Sequence, residues 1–211
     1  MASDGAPAGQ RGPDAGPLLI VISGPSGVGK DSVLERLRER GLPFHFTVTA
    51  TTRPQREVKP EDHRFLRFLS DEEFDRLLAE DGLLEHAEVY GYHYGVPKAP
   101  LRDALARGQD VIVRVDVQGA ATIKRLVPSA VLIFLAPPSV DELAERIRAR
   151  GLDDPETVRR RLDKAAAELE RQREFDHVVV NERDHLDDAV DRILAIIEEE
   201  RRRPGRAPVR L

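Results

Sequence analysis

No cysteine occurs in the 211 residues, which excludes disulfide bridges and thiolate-held metals. No apolar run is long enough to cross a bilayer as a helix. Charge of one sign is also lacking: 33 basic against 38 acidic residues leave a formal net charge of -5. No global positive field therefore draws the chain to nucleic acid or to anionic lipid, and any anion site must be local. The opening MASDGAPAGQRGPDAGP has neither a basic start nor an apolar stretch, so it does not read as a secretory signal. A cytoplasmic protein without nucleic-acid or membrane partners is expected. Residues 1–17, rich in Gly, Pro and Ala, are expected to form a disordered tail, and the basic run at 204–211 a solvated one.

What is present suits one α/β core with a small inserted lobe. Leu18 to Ser23 reads LLIVIS, the apolar run of a strand buried on both faces of a parallel sheet. Glycines follow, and then SVLERLRERG, an amphipathic helix with a glycine stop at Gly41. DVIVRVDV (Asp110–Val117), AVLIFLA (Ala130–Ala136) and HVVVN (His177–Asn181) read as further buried strands. Helices are expected around Leu101–Arg107, Val140–Arg150, Glu156–Arg173 and Leu186–Glu200, the alternation of a doubly wound parallel sheet. The stretch from Thr47 to Tyr94 breaks that rhythm, with pieces such as FLRFL and a short helix near Phe74–Ala79.

Gly24-Pro-Ser-Gly-Val-Gly-Lys30 matches GxxxxGK between that first strand and helix, the context a phosphate-binding P-loop requires. Its glycines let backbone N–H groups close around phosphate at a helix N-terminus, while Lys30 reaches the β- and γ-phosphates. Gly24, Pro25, Ser26, Gly27, Val28, Gly29, Lys30, Asp31 and Ser32 form the expected ATP-binding set. Asp31 stands where a Ser or Thr hydroxyl usually meets Mg²⁺. A carboxylate can hold that metal directly or through water, or serve only as a first-turn acid favourable to the helix dipole.

Arg53 and Arg56 in TATTRPQR place two guanidinium forks beyond a strand end, which suits a phosphate monoester. Further on stand GLLEHAEVYGYHYGVP, with Glu85, and VDVQG, with Asp116. A carboxylate accepts two parallel hydrogen bonds, and guanine offers such a donor pair at N1–H and its exocyclic amino group; adenine does not.

Taken together, GPSGVGK, TATTRPQR, GLLEHAEVYGYHYG, VDVQGA and LAPPSVDELAERIRARG, with RRRLDKAAAELE and FDHVVVN, resemble the guanylate kinases from Leu18 to about Ile197. The resemblance implies a P-loop NTPase core within residues 18–203, a small inserted nucleoside-monophosphate-binding lobe at about 49–98 and a helical LID at about 146–161. It implies transfer of the γ-phosphoryl group of ATP to GMP, and to dGMP, with Mg²⁺. Lys30, Arg53, Arg146, Arg150 and Arg161 are the implied catalytic set, and Thr49, Arg53, Arg56, His63, Glu85, Tyr94, Val96 and Asp116 the implied GMP set. In-line positioning and charge neutralisation suffice for such a transfer, and no covalent nucleophile is needed.

Some positions depart from the family pattern. The loop after Arg56 is two residues shorter, so His63 stands where a phosphate-binding tyrosine is usual; Val96 replaces a hydroxyl, and Arg114 an acid two residues before Asp116. GKD, RVD and GVPK together resemble the branch that includes the plant organelle enzymes. Two alternatives stand beside this reading: a ribose 1,5-bisphosphate kinase, whose P-loop is similar, and a non-catalytic guanylate-kinase-like binding module.

Overall fold

A strand of five residues with no polar alternation needs cover on both faces, and β1 (Leu19–Ser23) has it, every residue being buried. The computed structural model describes residues 16–55, 64–89, 91–149 and 155–211. β1 lies at the centre of a five-stranded sheet, ordered β2 (His45–Phe46), β7 (Val111–Arg114), β1, β8 (Val131–Ala136), β9 (His177–Val180). Every neighbouring pair is parallel. Leu18, Ile20 and Ile22 face a core built with Val33, Leu34 and Leu37 of α1 (Lys30–Glu39) and with the apolar stripe of α7 (Leu186–Arg202). Leu19 and Val21 face the opposite way, against Leu101 and Ala104 of α3 (Lys98–Ala106) and Ala120 and Ile123 of α4 (Val117–Leu126). This is the expected doubly wound α/β sheet.

The strand expected at Asp110–Val117 is shorter at its end. Asp116 leaves the ladder to cap α4, its Oδ1 accepting from the N–H groups of Gln118 at 3.1 Å and Gly119 at 2.9 Å, the bond an N-cap acid makes. Two further helices follow β8: α5 (Val140–Ala149) and α6 (Pro155–Glu170). The helix expected to reach Arg173 tightens after Glu170 into a 3₁₀ turn at Arg171–Glu174.

A second sheet occupies Thr49 to Pro97, ordered β4 (Leu66–Phe68), β3 (Thr49–Thr51), β6 (Tyr92–Pro97), β5 (Leu83–Val89). β3 runs parallel to β4 and antiparallel to β6, and β5 pairs antiparallel with β6. Its small core gathers Ala50, Phe74 and Leu83. Phe74 belongs to α2 (Asp71–Ala79), which begins three residues before the expected helix because Ser70 and Glu73 close a capping box.

The C-terminal run does not lie loose in solvent. Val209 and Leu211 pack on the α3–α4 side of the core, and Arg206 donates to the carbonyl of Gly16 at 2.6 Å. Asp110, 1% exposed, accepts from the Leu18 N–H at 2.7 Å and from Arg201 Nε of α7 at 2.8 Å.

Candidate active site

The turn from β1 into α1 is held open as a cradle by contacts that leave no room for side chains. A β-carbon on Gly24 would lie 2.2 Å from the carbonyl oxygen of Leu135 and one on Gly29 2.5 Å from Asn181 Nδ2, and both glycines have positive φ, 146° and 102°. Three elements grip the loop from outside. The Val28 carbonyl accepts from Asn181 Nδ2 at 2.7 Å and from an Arg146 nitrogen at 3.2 Å. Arg146 also donates to the Asn181 carbonyl and to Glu142. From α6, Arg161 donates to Ser26 Oγ at 3.1 Å, while Glu168 Oε2 accepts the Ser26 N–H at 3.1 Å. Lys30 Nζ lies back over the loop, donating to the carbonyls of Gly24 at 2.6 Å and Pro25 at 3.0 Å. Burial pushes its ammonium down to about 8, against the pull of the Glu168 and Asp31 carboxylates. Glu168 is itself pushed up by burial.

Beside the loop, a cavity of about 160 Å³ is lined by Lys30, Thr49, Glu85, Tyr94, Arg114 and Asp116, with apolar wall from β5. It opens at the carboxyl ends of the parallel strands, where such sheets bind ligands. Glu85 is 5% exposed, and its Oε2 has no hydrogen-bond partner among the described residues. Burial, and secondarily Asp116, raises its carboxyl to about 8. A buried carboxylate with an oxygen that has no donor, in the wall of a cavity, suits a ligand that brings donors. Asp116 spends Oδ1 on its helix; Oδ2 is buried without a hydrogen bond, and Lys164 Nζ stands 3.8 Å off.

The fold therefore unites Lys30, Thr49, Glu85, Tyr94 and Asp116 of the expected site. Arg53 follows β3, its N–H donating to Thr51 Oγ1 at 3.1 Å, and is half-buried but not part of that cavity wall. Val96 faces Glu85 across the β5–β6 ladder and is sealed in the apolar cluster with Leu84 and Leu101, off the cavity wall. Asp31 and Ser32 are exposed at the start of α1. Arg56, His63 and Arg150 lie outside the described residues.

The profile of the guanylate kinase family matches residues 17–200. A guanylate kinase of Gloeobacter violaceus is 47% identical over 200 residues, covering 94% of this chain and 93% of the relative. The chain belongs to the guanylate kinase family. A guanylate kinase 2 of Oryza sativa, described as chloroplastic/mitochondrial, is 42% identical over 192 residues, covering 90% of this chain and 66% of the relative. The crystal structure of a guanylate kinase from Anaplasma phagocytophilum superposes with a TM-score of 0.74 at 31% identity, over 91% of this chain and 90% of that one.

Within this chain, sequence reasoning passed over three side chains. Asn181 was legible only as the last residue of HVVVN, yet it spans from β9 to the P-loop. Glu168 lies seven residues beyond Arg161, on the same face of α6. Arg114 stood out as a departure and not as a wall of the cavity. Among the described residues no cluster of three or more His, Asp or Glu can hold a metal alone. The one carboxylate in the first turn of α1 beside the loop is Asp31, an oxygen donor of the kind Mg²⁺ takes alongside phosphate and water.

Proposed function

We propose that the protein transfers the γ-phosphoryl group of ATP to GMP, and to dGMP, giving ADP and GDP. The observation that carries this reading is Glu85, a buried carboxylate whose Oε2 lacks a partner among the described residues and which faces the cavity beside the P-loop. Ionised, it accepts the N1–H and amino donors of guanine together; adenine presents no such pair. Thr49 and Asp116 line the same cavity and complete the base end, and Tyr94 the phosphate end. Arg53, Arg56 and His63 close on that phosphate in this reading, from the lobe at about 49–98.

Residues 24–32 hold the ATP phosphates through backbone N–H groups and the α1 N-terminus. Lys30 neutralises charge that develops during transfer. Arg161, already hydrogen-bonded to the loop through Ser26 Oγ, supplies a second cation from the LID at about 146–161, together with Arg150. Arg146 fixes the loop through Val28. Mg²⁺ would be held by the ATP phosphates and by Asp31, directly or through water, and would supply further charge neutralisation. No helix among the described residues is long and apolar enough to cross a membrane, and the cytoplasm is the proposed site of action.

A coupled ADP-release assay with GMP, dGMP, AMP, UMP, IMP and ribose 1,5-bisphosphate as acceptors tests the reading. GMP and dGMP should be turned over and AMP and UMP should not. Preference for ribose 1,5-bisphosphate, or no ADP release with any acceptor, overturns it in favour of the two alternatives.

A further inference from the structure

Arg114 is the last residue of the β7 ladder, opposite Ile22 of β1, and so stands at the carboxyl end of the sheet next to the strand that feeds the P-loop. Its side chain, 19% exposed, lines the cavity with Lys30, Tyr94 and Glu85. One of its terminal nitrogens donates to Asp31 Oδ1 at 2.5 Å. Thus the two positions at which the P-loop and β7 depart from the family pattern are joined: the acid missing from β7 stands on α1, and an arginine answers it. We propose that Arg114 contacts the phosphate of the acceptor nucleotide, with Asp31 as the positioning residue that holds its guanidinium. The proposal rests on the acceptor reading given above.

Stability alone does not account for this pair. Asp31 is 59% exposed, and an ion pair open to solvent on one side contributes little to folding. Meanwhile Arg114 brings a second cation close to Lys30, whose charged form is disfavoured by burial, favoured by Glu168 and Asp31, and disfavoured again by Arg114. Two cations beside one cavity are accommodated when an anion lies between them. The acids that line the cavity, Glu85 and Asp116, belong to its base end, and Asp31 stands off the cavity wall on the P-loop helix. An acceptor whose base meets Glu85 carries its phosphate toward the cations. A guanidinium has five N–H donors and one carboxylate oxygen takes a single one in this structure, so the same group can also donate to phosphate in the forked geometry it favours. Arg114 approaches from the five-stranded sheet, whereas Arg53 approaches from the other.

Equilibrium titrations of the full chain with GMP and with guanosine, without ATP or Mg²⁺, test this. A charge-assisted bond to phosphate corresponds to about 10- to 100-fold in affinity. Arg114→Met should weaken GMP by about that factor and leave guanosine unmoved, and Arg114→Lys, which keeps charge but loses the fork, should fall between. Asp31→Asn should weaken GMP less than Arg114→Met and add nothing in the double variant. If Arg114→Met and Arg114→Lys both leave the ratio of GMP to guanosine affinity at the parental value, Arg114 does not touch phosphate. The proposal is equally overturned if the Asp31→Asn and Arg114→Met losses simply add. A parent chain that binds no GMP overturns the acceptor reading and this proposal with it, and is told apart because the parent fails and not the variants.

Discussion

A β-carbon on Gly119 would stand 2.8 Å from Glu85 Oε2 and 3.0 Å from Val115 Cβ. The first turn of α4 is thus the floor on which the Glu85 carboxylate rests. Gly119→Ala must displace that carboxylate, since the helix backbone cannot retreat as a side-chain tip can. The KM for GMP should rise roughly 10-fold or more with the KM for ATP unchanged, in line with the sensitivity of site geometry to shifts below 1 Å. Equal effects on both substrates would show that the helix has moved as a whole.

Glu85→Gln keeps the shape but turns a donor toward a guanine donor. kcat/KM for GMP should fall about 10²-fold or more, because sites made for hydrogen bonds reject a mismatched partner strongly. ATP saturation should hardly change. Parental GMP kinetics in this variant would remove Glu85 from base recognition.

The raised Glu85 carboxyl gives a pH dependence with a definite sign. Burial, then Asp116, holds it at about 8, so below that pH the free protein carries a proton that must leave for guanine to find a carboxylate. At saturating ATP the KM for GMP should therefore fall as pH rises from about 6 toward 8, by up to about tenfold per unit, and then level. Between the ordinary carboxylate range and 8 the folded chain holds a proton the unfolded chain has lost, so this group's contribution to stability declines as pH rises through that window. In Glu85→Gln both trends should flatten.

Asp31→Ala should raise the Mg²⁺ concentration that gives half-maximal activity at saturating GMP, and Asp31→Ser should recover part of the loss. Magnesium curves that overlay the parent's would leave Asp31 only as the partner of Arg114.

Val96→Thr places a hydroxyl in an apolar cluster where residue 96 is fully buried. It should cost about 1–3 kcal/mol in urea unfolding and leave GMP turnover unchanged or slightly better. A tenfold gain in kcat/KM for GMP would show instead that residue 96 reaches the base.

The strand–loop–helix at Leu18–Gly41 was legible because its apolar pattern switches period at the glycines, and the parallel core followed from unbroken apolar runs. Glu85 could be assigned to a base only through resemblance; its burial depends on α4, which is brought to β5 by the strand order. Pairs distant in sequence left no local trace: Arg114 and Asp31 are 83 residues apart, Asn181 and Val28 153. The C-terminal run was expected in solvent from its arginines, yet Val209 and Leu211 find apolar surface on the α3–α4 face, which only the assembled sheet supplies.

Thr47 is tied to the five-stranded sheet through its N–H and Oγ1, both donating to the Ile112 carbonyl at 3.0 Å, and Thr49 to the four-stranded sheet through its N–H on the Phe65 carbonyl at 2.9 Å. Between these anchors stands one residue, Val48, 38% exposed. Any rotation of one sheet against the other that leaves both anchors whole must be absorbed on this crossing by torsion about Val48 and the bonds that flank it. Val48 is thus the single unanchored residue on this crossing between the sheet that leads into Lys30 and the sheet that carries Glu85, while Leu84 and Val96 hold the second sheet to the core on its other side.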